Sequence, residues 1–241
     1  MIAGFLALAL VQTGQPIGPD PRLEAFKAAC VPHRDDMAAA EVLLEREGWA
    51  RVADDDHPEL AVTMAKAREG MADPELNATH TISVWGRSFG DRRFYVMVSR
   101  LDAMIGETKD DDGDGVIQDW ERATPFSQIS CGLWDFDATE AVHPGAVVVW
   151  TGSLAVQTIE HEGLSGGTWN VYDMMPGTGE VHVGFIAPGS PSEALGFSGA
   201  SITMSSAPKE VHAAYMAERA AEEAADAAAN GPDAGSDPAD P

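Results

Sequence analysis

The chain has 241 residues, is 44% hydrophobic, and carries 15 Lys and Arg against 39 Asp and Glu, a formal net charge of −24. A surplus of that size repels phosphate backbones and anionic headgroups, which excludes nucleic acid as an expected partner and argues against an acidic membrane surface. The apolar content suffices for one sizeable core, so a single domain over residues 20–206 is expected, with ends of different composition.

Residues 1–19 hold an apolar run from Ile2 to Val11 followed by polar and turn-forming residues, the pattern of a secretory signal peptide and too short to span a bilayer. No Lys or Arg precedes the run, and a buried helix is the alternative. The expected location is periplasmic or secreted, with no membrane span once the signal is removed. Two cysteines, Cys30 and Cys131, fit that compartment as a disulfide pair, with buried free thiols as the alternative.

Three segments, PRLEAFKAAC, HRDDMAAAEVLLEREG and HPELAVTMAKAREGM, space apolar residues three or four apart and read as helices. THTISVWGRS and DRRFYVMVSRL alternate apolar and polar residues around an SFGD turn and read as neighbouring strands. A short helix over Leu101 to Ile105 is then expected before Gly106.

The next twelve residues, DDDGDGVIQDWE from Asp110 to Glu121, carry the most specific pattern in the chain, D-x-[DN]-x-[DN]-G-x5-E at every specified position. Asp110, Asp112 and Asp114 set carboxylates around one centre. Gly115 permits the sharp turn, Val116 offers its backbone carbonyl, Ile117 fills the apolar eighth place, Gln118 reaches the metal directly or through water, and Glu121 closes with both oxygens. The donors are all oxygen, which suits a hard cation and disfavours zinc, copper and iron.

This segment resembles the EF-hand calcium loop, and the resemblance covers these twelve residues alone. It implies a calcium ion as ligand, with Asp110, Asp112, Asp114, Val116, Gln118 and Glu121 holding it. The surroundings depart from that family: there is no second loop, and the segment entering the loop reads as a strand. Residues 117–124 (IQDWERAT) read as about two helical turns and QISCGLWDF as a further strand, so the loop reads as an insertion between strands. Such a site favours a structural role over that of paired sensor hands.

Beyond it, Pro144 opens a helix through GAVVVWTGSLAV, whose valine run also fits a strand, and TWNVYDMM, EVHVGFIAP and SGASITMSS read as strands. The fold class is therefore α+β, N-terminal helices packed on an antiparallel sheet with the calcium insertion between two strands. Residues 207–230 read as an Ala-rich helix with a weakly apolar face of Val211, Ala214 and Tyr215, expected to be docked on the domain or solvated, with a partner-binding helix as the alternative, and 231–241 has the composition of a disordered tail.

Catalytic patterns fail on context. Gly163-Leu164-Ser165-Gly166-Gly167 satisfies G-x-S-x-G, yet a strand rather than a helix follows it, and His161 lies between Glu160 and Glu162 without HExxH spacing. The remaining histidines form no ligand spacing, and His182 is expected to face solvent or pair across the sheet. Trp49, Trp85, Trp134, Trp150 and Trp169 are expected in the core. The function expected is that of an exported calcium-binding protein. A calcium-gated module recognising an unidentified envelope protein, or a hydrolase built on Ser165 or His161, are the alternatives.

Overall fold

The computed structural model describes residues 18–70, 78–106, 108–109, 118 and 122–229. Helix α1 (Pro21–Cys30) starts at an Asp20 cap, and α2 (Met37–Arg46) at Asp36, whose carboxylate accepts from the Ala39 N–H at 3.1 Å. After a two-residue strand β1 (Ala50–Arg51) come α3 (Pro58–Gly70) and the long strands β2 (Thr79–Phe89), β3 (Arg92–Ile105) and β4 (Thr124–Asp135). The second half holds α4 (Pro144–Thr151), β5 (Gln157–His161), β6 (Leu164–Asn170), β7 (Thr178–Ile186), β8 (Gly199–Ser206) and α5 (Lys209–Ala229). The α+β class and the antiparallel sheet agree with the sequence reading.

All strands join one antiparallel sheet in the order β1-β2-β3-β4-β8-β7-β6-β5, so each half of the chain is a meander and the two meet at β4 and β8. Side chains alternate between its faces. The inner face carries Trp85, Phe94, Val98, Cys131, Leu133, Trp169, Val181 and Ile202, and packs on Leu23 and Phe26 of α1, Leu44 of α2 and Val147 of α4. On the outer face α3 sets Leu60 and Met64 against Val84, Tyr95 and Met97. From β4 to β5 that outer face is, apart from Trp134 and Ile159, mostly small and polar: Ser130 bonds Ser205 at 2.9 Å, and Thr168 bonds His182 at 3.0 Å across strands. Cross-strand pairing is thus where His182 goes.

Two Gly-x-Trp segments shape the sheet. Trp134 folds its indole over Gly132 on the outer face, and Trp169 folds over Gly167 on the inner face, where a Cβ would lie 2.8 Å from the ring. The glycines leave room for rings that cover the backbone beside them. Trp49, Trp85 and Trp169 are buried, whereas Trp134 and Trp150 are partly buried at the core margin.

Cys30 and Cys131 are bridged, with Cα atoms 5.5 Å apart, tying the end of α1 to the middle of β4. Two His-Pro pairs start helices: His57 Nδ1 accepts the Glu59 N–H at 3.1 Å and His143 Nδ1 accepts the Gly145 N–H at 3.0 Å. Both rings therefore cap their helices through Nδ1.

Several sequence expectations need correction. The segment from Leu101 to Ile105 continues β3, because its backbone pairs with Gln128 through Thr124. Arg122 and Ala123 are non-helical and Thr124 is strand, which removes the end of the helix expected over 117–124; of its other residues only Gln118, also non-helical, is described. The helix from Pro144 stops at Thr151, where Gly152 takes a left-handed conformation with φ 70°. Strand β6 begins at Leu164 and ends at Asn170, four residues before the start and several before the end expected for TWNVYDMM. Helix α5 takes the solvated of its two expected forms, with Val211, Tyr215 and Met216 exposed. It is fastened at its first turn, by Lys209 to Asp36, Glu210 to Arg100 at 3.1 Å, and the His212 ring lying over Gly177. The expected signal peptide and the final tail fall outside the described residues.

Candidate metal site and a separate cavity

Strands β3 and β4 pair out to Ile105 with Thr124. Their neighbours stop earlier, since β2 reaches only Asp102 and β8 only Ile129. The pairs Ala103–Phe126, Met104–Pro125 and Ile105–Thr124 consequently form a two-stranded arm without a strand on either side among the described residues. Arg100 anchors its root, with Nε 2.9 Å from Asp102 and Nη1 3.1 Å from Glu210 of α5. The Arg100 guanidinium, then the Ser127 hydroxyl, hold the Asp102 carboxyl below the usual carboxylate value.

Residues 106–123 connect the two strands of this arm, and the Thr108 Oγ1 accepts the Ala123 N–H at 3.1 Å across their base. Of the residues expected to hold calcium, Asp110, Asp112, Asp114, Val116 and Glu121 lie outside the described residues, and Gln118 alone is described. No three His, Cys, Asp or Glu side chains gather into a metal-holding group among the described residues.

The residues of the hydrolase alternative do not converge. Ser165 pairs with Glu160 across β5 and β6 and shares the inner face, while His161 pairs with Leu164 on the opposite parity and is exposed, its nearest ionic partner Glu162 at 3.6 Å. Glu162 and Gly163, with φ of 46° and 85°, make the tight turn between those strands, so the G-x-S-x-G residues run from a hairpin turn along a strand.

Ser165 and Glu160 instead line a cavity of about 340 Å³ on the inner face, with Val142 and Pro144 before and at the start of α4, Trp169 of β6 and Val183 of β7. The buried Trp169 Nε1 has no hydrogen-bond partner among the described residues. One wall is fixed from a distance: Arg22, itself buried, donates to the carbonyl oxygens of Glu140 at 2.6 Å and Ala141 at 3.2 Å while its guanidinium holds Asp20. Sequence reading missed this cavity because its walls come from four separated segments, and a lone Gly-x-Trp was the one local sign of it.

No family model matches this chain, and it has no significant match among curated proteins or solved structures. The class defined here is an α+β protein with one disulfide and an open eight-stranded antiparallel sheet. No helix among the described residues is long and apolar enough to cross a membrane.

Proposed function

We propose that this is an exported calcium-binding protein in which the ion, held by Asp110, Asp112, Asp114, Gln118, Glu121 and the Val116 carbonyl, orders the tip of the β3–β4 arm. The observation that carries the reading is the place of the twelve-residue pattern in the chain, between the two strands of an arm that lacks sheet neighbours among the described residues. A hairpin of that kind is marginal by itself in water. Metal ligation at its tip would supply what flanking strands do not, and the Thr108–Ala123 bond already draws the two ends of the segment together, lowering the entropy cost of closing the site. The disulfide supports an oxidising compartment.

The test is terbium luminescence excited through tryptophan in the purified protein, because Trp120 lies within the pattern. Emission that calcium displaces and Asp110→Ala abolishes is expected. Emission unchanged by Asp110→Ala would refute the ligand assignment.

The second reading, a calcium-gated interaction module, is favoured by Met104 and Ile105, which are exposed on the arm beside the proposed ion. A protein partner retained in calcium and released by chelator would support it.

A further inference from the structure

We infer that the cavity between α4 and strands β5, β6 and β7 binds a small organic cation, with an apolar body and a protonated amine facing Glu160. The volume of about 340 Å³ falls within the range of about 300–1,000 Å³ usual for small-molecule sites. Trp169, 2% exposed, forms part of the wall, so its indole signal reports on what occupies the cavity.

The walls choose the rest of the ligand. Val142, Pro144 and Val183 present apolar surface, which a water molecule seeking two to four polar partners would find poor but a hydrocarbon or aromatic body would cover. Among the described residues no Lys or Arg lines the cavity and Glu160 makes no ion pair. With a chain charge of −24 this disfavours anions and draws cations toward the carboxylate. Ser165, opposite Glu160 across the strands, offers a hydroxyl to the same amine. Entry from the β5 side is the open route, since every residue of that edge strand is exposed, whereas the opposite wall is pinned by Arg22.

The experiment is a two-dimensional NMR titration of the full chain labelled with ¹⁵N-tryptophan, with the Trp169 indole assigned by through-space contacts to Val183 so that the native core is left intact. The probe is 2-(4-methoxyphenyl)ethylamine, compared with 4-propylanisole, which lacks the amine. A saturable shift of the Trp169 indole proton is expected with the amine and a weaker response with 4-propylanisole. The Glu160→Gln variant, altered at an exposed position, should weaken binding about three- to fivefold, the size of a partly solvated ion pair. A Trp169 signal unmoved by millimolar probe would overturn the site. Equal binding of 4-propylanisole, or no effect of Glu160→Gln, would overturn its assignment to cations.

Discussion

Replacing both Cys30 and Cys131 with Ala removes a crosslink that closes 101 residues of chain. In the chain-entropy treatment a loop of that length restricts the unfolded ensemble by about 4.7 kcal/mol at 25 °C. The native state loses little directly, because both positions are buried and Ala keeps them apolar, although two missing sulfurs leave small voids worth about 1 kcal/mol each at most. Against a total stability of about 5–15 kcal/mol for a domain, the double variant should sit near the lower edge of folding. Urea unfolding followed by tryptophan fluorescence, with and without reductant, measures this. The parent in reductant should lie about 4–5 kcal/mol below the oxidised parent, and the double variant up to about 2 kcal/mol further down. A loss under about 1 kcal/mol would refute the reasoning, since it would mean that the unfolded chain already holds α1 beside β4.

Gly132→Ala should cost about 1–3 kcal/mol by differential calorimetry, because the new Cβ meets the Trp134 ring and lies 2.8 Å from Thr203 Cγ2; an unchanged midpoint would show that the ring moves freely. Burial opposes ionisation of Asp20, but its bonds to Arg22 outweigh that and hold its carboxyl below the usual 3.8. The associated stability is present above that value and fades as pH falls through the lowered one; Asp20→Asn should lose about 1–3 kcal/mol at pH 7 and flatten the acid limb of a pH–stability curve. Millimolar calcium should raise the parent's stability by about 0.5–1.5 kcal/mol and leave Glu121→Gln unmoved, a comparison of melting curves in which an equal response would defeat the structural role for the ion. Leu44→Ala, at a fully buried position between α2 and the sheet, should cost about 2–5 kcal/mol in the same urea assay, and a smaller loss would mean that the interface collapses around the gap.

The helices and long strands were legible where periodicity met punctuation. In α1 Pro21 sits just after an Asp cap, and in β2 to β4 alternation runs between clear turns. Strand β5 was not, because an exposed edge strand, QTIEH, has no buried face to impose alternation, and its pairing is dictated by the Glu162-Gly163 turn beyond it. The end of β3 was misjudged for a related reason: Leu101 to Ile105 have helix-compatible spacing, and only pairing with a distant segment keeps them extended. The calcium pattern was readable because its ligands are consecutive. The cavity was not, since Val142, Glu160, Trp169 and Val183 meet only once the second meander has closed.

That second meander enters the sheet in reverse, so β4 and β8 are the one neighbouring pair not consecutive in sequence. Every other strand can zip onto the strand just before it, at small loop entropy, while the central seam must await two finished halves. The protein is therefore built as two quickly formed ribbons and one slow suture. Ile202, fully buried along that suture, is the place where a trimmed side chain should retard refolding, whereas the same trimming within either ribbon should chiefly hasten unfolding. Cys131 lies on the seam strand as well, so the oxidant that seals it to Cys30 acts on the strand where the two ribbons must finally meet.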